Sequence, residues 1–222
     1  MKWNEGKNEK PLFGRFRTIL FFTLLLHLTV ALAQKPLPKP LVEAFATALE
    51  HYPELANARI QLKLKNGLKK ATMQARPTFG SLFRRRELRQ YTIFVSRHFA
   101  MGGRAWPVAE APEEVLVGWL GHELGHILDY EQHGNWSMLG YGLSYLFSKK
   151  HIVSTEKKAD RWAVLHGMGH YLKETKNYIQ SIPNLSDAYR KRLEKYYLTA
   201  QELDSLATEA TDAHKCDGVS AP

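Results

Sequence analysis

Apolar positions along the chain recur first at helical and then at strand spacing. From Leu41 to about His51 they follow a helical period, which Pro53 stops. Residues 58–64 then alternate, with Ile60, Leu62 and Leu64 set against Arg59, Gln61 and Lys63, which predicts a half-buried strand. Residues 68–75 read as a second strand, reached through a turn at Asn66-Gly67. Residues 91–99 alternate again, are rich in β-branched and aromatic side chains, and predict a third. From Pro112 the period turns helical: proline stands at the first helical position, and Glu113 and Glu114 face the positive end of the dipole. Further helices are predicted over about 136–147, 153–179, 185–196 and 200–210, with 211–222 as a flexible polar tail. There are no internal repeats. A small antiparallel or mixed sheet followed by a mainly helical half defines an α+β fold, here a single domain over 41–210.

The segment before this domain reads differently. Lys2, Lys7, Lys10, Arg15 and Arg17 precede an apolar run from Ile19 to Ala33 that ends in Ala31-Leu32-Ala33. A basic start, a short apolar middle and a small-residue ending predict a signal peptide over 1–33, cut after Ala33, and hence an exported protein, secreted or periplasmic. The run falls short of the about 20 residues that span a bilayer. The alternative is an uncut membrane anchor in residues 19–33. Residues 34–40, with three prolines and two lysines, read as an extended linker.

Composition narrows the classes. Over 222 residues, 44% hydrophobic and 24% charged are globular proportions, which exclude wholesale disorder, collagen and coiled coil. The net charge of +9 raises the question of an anionic partner. Without residues 1–33, 26 Lys and Arg remain against 20 Asp and Glu, a formal +6. No nucleic-acid motif occurs, and the basic residues read as scattered without interleaved aromatics, so no nucleic-acid partner is expected. The densest run, Arg84, Arg85, Arg86 and Arg89, reads as a solvated loop, with an acidic substrate or a membrane surface as the alternative contact. Residues 138–147, MLGYGLSYLF, read as a buried helix or hairpin, with a lid as the alternative. The lone cysteine, Cys216, excludes an internal disulfide and a cysteine-rich zinc site. Any metal site is therefore built from histidine and carboxylate, unless the Cys216 thiolate folds back onto it.

Such a set stands in the first strong helix of the second half, as His122-Glu123-Leu124-Gly125-His126. Residues four apart lie about 40° apart around a helix, so both imidazoles can meet one ion. Glu123 then sits beside them as a general base. The flanks, VLVGWL and IL, are apolar, and unpaired polar groups in such a setting are costly, which favours a bound metal.

A catalytic zinc takes three protein ligands and leaves a position open. The metzincin extension places histidine at 132, which is Gln132, and the thermolysin spacing places glutamate at 146, which is Leu146. Thirty residues after His126, Glu156 and Asp160 stand four apart in TEKKADR. Glu156 can offer the third oxygen, and Asp160 can accept a hydrogen bond from the far nitrogen of a ligand histidine. Alternatively, both acids pair with Lys157, Lys158 or Arg161 on a solvated face.

GHELGH followed by ExxAD resembles the gluzincin zinc metallopeptidases, within them the CAAX-prenyl-protease-like enzymes and their soluble relatives, the minigluzincins. The resemblance covers residues of about 58–200. It implies a sheet before the active-site helix, with an edge strand that holds an extended peptide. It implies one catalytic zinc on His122, His126 and Glu156, with Glu123 as general base and Asp160 behind the site. The expected function is that of an exported zinc endopeptidase acting on a peptide or protein through a zinc-activated water. A catalytically silent zinc-binding relative, acting as an exported binding or scaffold protein, is the alternative. Related enzymes add a downstream Tyr, His or Arg at the oxyanion; Tyr189 is the first candidate here, then His170 and Arg192.

Overall fold

The computed structural model describes residues 36–68, 71–81, 84–101, 104–134 and 148–217, with backbone only at Met101 and from 211 onward. The expected signal peptide, the predicted helix over 136–147 and the MLGYGLSYLF stretch lie outside these residues. Two units divide the chain, Met1–Pro36 and Leu37–Pro222, and the elements below belong to the second.

Helix α1 (Lys39–Glu50) buries Leu41, Ala44 and Ala48, one stripe at helical spacing, and starts within what reads as linker. Three strands follow: β1 (Arg59–Lys65), β2 (Met73–Pro77) and β3 (Gln90–Ser96). They form a mixed sheet in the order β1-β3-β2, β1 parallel to β3 and β2 antiparallel to it. The expected hairpin at Asn66-Gly67 does not form, because β3 takes the place between β1 and β2. The predicted strand over 91–99 divides at Arg97, whose N–H donates to the Lys65 carbonyl at 2.7 Å while its own carbonyl accepts from Val108. Beyond it, β4 (His98–Met101) and β5 (Arg104–Pro107) pair as a separate antiparallel ribbon.

The second half is helical: α2 (Glu113–Glu131), α3 (Lys149–Leu165), α4 (Gly169–Ser181), α5 (Asp187–Tyr196) and α6 (Ala200–Asp217). This is the expected α+β architecture. Helix α2 is the hub, packing on α1, α3, α4 and β2, and it is buried nearly all round. The core runs through Tyr52, Tyr91, Ile93, Leu116, Leu120, Leu124, Ile127 and Met168. Three glycines on α2 let its neighbours approach. A Cβ at Gly118 would meet the Tyr171 carbonyl oxygen at 2.4 Å, at Gly121 the Met168 side chain at 2.4 Å, and at Gly125 the Ala159 carbonyl oxygen at 2.6 Å.

The sequence predicts one helix over 153–179, but the chain makes two. Gly167 takes φ +76°. Its N–H donates to the Val164 carbonyl, and that of Met168 to the Ala163 carbonyl, both at 2.9 Å. This is the pair of bonds that closes a Schellman turn. Helix α6 runs on to Asp217, so residues 211–217 are helical rather than an irregular tail, and Cys216 stands in its last turn.

Candidate metal centre

Helices α2 and α3 build the site together. His122, Glu123 and His126 come from the middle of α2, Glu156 and Asp160 from α3. The close contact of Gly125 with Ala159 brings α3 near enough for the Glu156 carboxylate to reach both histidines. His122 Nε2 lies 3.1 Å from His126 Nε2 and 3.2 Å from Glu156 Oε2. Glu156 Oε2 is 3.7 Å from His126 Nε2. Three potential ligand atoms thus converge within 4.8 Å of one another, a group able to hold a metal ion.

Both acids on α3 are buried, which overturns the solvated-face alternative. Lys157 pairs with Glu202 and Lys158 with Asp129, not with Glu156 or Asp160. Asp160 instead joins three elements. Its Oδ1 accepts from His122 Nδ1 at 2.8 Å, and its Oδ2 accepts from Lys176 on α4 at 3.2 Å and from the Leu198 N–H at 2.9 Å. The bond to Nδ1 leaves His122 Nε2 for the ion. His126 Nδ1 is buried with no hydrogen-bond partner among the described residues.

The electrostatics follow from crowding charge in a dry place. Burial pushes the His122 pKa down, but its bonds to Asp160 and Glu156 outweigh that and raise it to about 10. Burial pushes Glu156 up, and its bonds from His122 and His126 hold it well below the usual carboxylate range. In Asp160, too, burial is outweighed, here by Lys176, His122 and the Leu198 amide, and the pKa falls. Glu123 is different: burial dominates and its pKa is raised, against the pull of both histidines. Its Oε2 accepts the Ala75 N–H at 2.5 Å, from the edge of β2 that points away from β3. The Tyr130 hydroxyl reaches the Ala75 carbonyl at 3.5 Å. The outward backbone of one edge-strand residue thus lies directly against the site.

Of the expected oxyanion donors, His170 stands on α4 and Tyr189 and Arg192 on α5. Tyr189 packs half-buried against the core, His170 lies on Tyr171, and Arg192 on Tyr196. Of the three, Tyr189 is near enough to Tyr197 to help raise that residue's hydroxyl pKa. Tyr197 lies against the ligand group: its ring centroid is 5.6 Å from that of His122, and Lys176 Nζ lies 5.3 Å from the same Tyr197 centroid. Burial, then Glu156, Asp160 and Glu123, raise its hydroxyl pKa well above 10, so it keeps its proton. Tyr197, Lys176 and Ala75 carry no motif and come from three different elements, so no local pattern marks them. Tyr130 had a signal, standing four residues after His126 on the same helical face.

The Arg84–Arg89 run is not uniformly solvated. Arg86 bonds to Glu131 at 3.2 Å, and Arg89 is buried with Nη1 donating to the Tyr130 carbonyl at 2.9 Å. No helix of the described residues is long and apolar enough to cross a membrane. Fold and site together define an α+β protein with a buried histidine–carboxylate group suited to a metal. No protein-family model, curated protein or solved structure matches the chain.

Proposed function

We propose that this protein is a zinc-dependent endopeptidase of the gluzincin type, exported after loss of its first 33 residues. The observation that carries the reading is the meeting of His122, His126 and Glu156 with Glu123 beside them and Asp160 behind. A tetrahedral zinc with bonds of about 2.0–2.1 Å sets its donors roughly 3.3 Å apart. The donor separations of 3.1, 3.2 and 3.7 Å bracket that value. The donor set, two imidazoles and a carboxylate, is one that catalytic zinc uses. When bound, zinc would supply a Lewis acid that polarises the scissile carbonyl and acidifies water.

The chain's own groups do the rest. Asp160 fixes the His122 ring and its tautomer. Glu123, whose burial raises its proton affinity, takes the proton of the attacking water and delivers it to the leaving amine. An extended peptide lying on the outward edge of β2 would take over the Ala75 N–H and carbonyl from Glu123 and Tyr130, which frees Glu123 for the water. Tyr197, protonated and against His122, joins Tyr189 as a hydroxyl able to donate to the developing oxyanion.

The bond from Ala75 N–H to Glu123 favours a second reading, a silent zinc-binding protein in which Glu123 only ties β2 to α2. Glu123→Gln separates the two, because the amide keeps an acceptor for Ala75 and loses the base. The test is peptide-library cleavage by the zinc-loaded protein, wild type against Glu123→Gln, at equal zinc content. Cleavage by wild type and a loss of about 10²–10⁴-fold in the variant are expected. Zinc-loaded wild type that cuts nothing, or a variant as active as wild type, rejects the protease.

A further inference from the structure

The positive charge of this chain is not spread over it. Residues 58–107, the strands and their connections, hold twelve Lys and Arg and a single acid, Glu87, a formal +11. Residues 108–222 hold twelve Lys and Arg against sixteen acids, a formal −4. The two segments hold equal numbers of basic residues; the acids, nearly confined to the second, leave the net positive charge in the first.

The fold sharpens this asymmetry. Arg59, Lys63 and Lys65 on β1 are exposed and alternate with Ile60, Leu62 and Leu64, which turn inward to the core. Arg76, exposed on β2, pairs in register with Thr92 of β3, which is level with Gln61 of β1. All four basic residues thus stand on one pleated face. Its other positions are Gln61, Gln74, Gln90, Thr92, Phe94 and Ser96, with no acid among them. At the two ends of the β2–β3 connection, Phe79 is 73% exposed and Leu88 41%, with the exposed Arg84, Arg85 and Arg86 between them in sequence, Arg86 bonded to Glu131.

We propose that this outer sheet face docks on an anionic phospholipid bilayer. A flat array of long basic side chains meets a plane of phosphates over its whole area, and each Lys or Arg held near such a surface strengthens binding about fivefold. Exposed Phe and Leu beside arginines are the residues that enter the headgroup layer. Nucleic acid is the poorer match, because the one aromatic of the face is already engaged. Lys65 Nζ lies 4.1 Å from the Phe94 ring centroid and the Arg76 guanidinium 5.8 Å from it, so a base stacking on that ring competes with two cations already held there. This surface stands independently of the metal centre and of any activity there.

The experiment is co-sedimentation of the full chain with phosphatidylcholine vesicles, with and without phosphatidylglycerol. Wild type is compared with two variants of equal net charge. One carries Arg59→Gln, Lys63→Gln, Lys65→Gln and Arg76→Gln; the other carries Lys149→Gln, Lys150→Gln, Lys191→Gln and Lys195→Gln in the helical half. Both keep residues 1–33, so any pull from that segment is common to them. Preference for phosphatidylglycerol is expected in wild type, with a loss of roughly tenfold or more in the sheet variant and less than about threefold in the helical one. If the sheet variant does not match the wild-type unfolding temperature, Lys63→Glu alone replaces it, with a loss of about fivefold or more expected. Equal losses in the two variants, equal binding to both vesicle types, or displacement from vesicles by short duplex DNA would overturn the proposal.

Discussion

His122 divides two tasks between its ring nitrogens, one facing the ligand group and one facing Asp160. Without metal, its proton is held up to about pH 10 by Asp160 and Glu156, although burial opposes this. A raised folded-state pKa gives stability that is complete below the ordinary value of 6.5 and is lost as pH rises towards 10. Asp160, whose pKa is depressed, works the other way: its contribution is present above its ordinary 3.8 and is lost as pH falls below that. The metal-free protein should therefore lose melting temperature from pH 7 to 10. The zinc-loaded protein should lose less, since zinc replaces the proton on Nε2. Thermal unfolding of both forms across this range checks the sign, and a metal-free melting temperature that climbs with pH would contradict it. Asp160→Asn removes the charge that orients His122 and pairs with Lys176. Zinc affinity should fall about 10–100-fold, as read by competition with a chelating dye. The HExxH pair and Glu156 with Asp160 were legible because four-residue spacing puts each pair on one helical face. Tyr197 was not, because it reaches His122 only through the turn between α5 and α6, where Leu198 donates to Asp160.

At the scale of elements, α2 fixes the site through what its glycines omit. A Cβ at Gly125 would meet Ala159 carbonyl oxygen, carbonyl carbon and Cα at 2.6, 3.2 and 3.3 Å, all backbone, so only a shift of α3 could relieve it. Gly125→Ala should cost about 1–3 kcal/mol and draw Glu156 away from the histidines. Zinc affinity should then fall together with melting temperature, and calorimetry that finds the affinity intact would show that this contact does not set the site. In the sequence Gly121 and Gly125, poor helix formers in a helix, already suggest that something approaches the backbone closely; that the approach at Gly125 comes from Ala159 is not local information. Element type was legible over most of the described residues, because strand alternation over 58–64 and helical period after Pro112 are local properties; β5 and the end of α6 were not read from the sequence. Pairing was not. Asn66-Gly67 has the chemistry of a hairpin turn, yet β1 finds its partner in β3, a choice made by burial of Tyr91, Ile93 and Val95 between both neighbours. Gly167 lies within the single helix predicted over 153–179, and its positive φ shows that it ends α3.

Across the whole molecule, one half carries charge and the other the candidate chemistry. The sheet segment is nearly free of acids and so carries the net positive charge, and the helices hold a dry group of histidines and carboxylates in their midst. The junction between them is Ala75, whose outward N–H lies on Glu123. This arrangement explains why net charge alone was uninformative: the surplus belongs to one layer, and the acids of the other partly cancel it in any sum over the chain. Among the described residues the group able to hold a metal consists of histidine and carboxylate. The most direct test is therefore the zinc itself, by metal content and zinc-edge X-ray absorption of the full chain. The account predicts one zinc per chain, with two imidazole nitrogens and oxygen neighbours at about 2.0–2.2 Å. A chain that retains no zinc, or a zinc with a sulfur neighbour at about 2.3 Å, would contradict it.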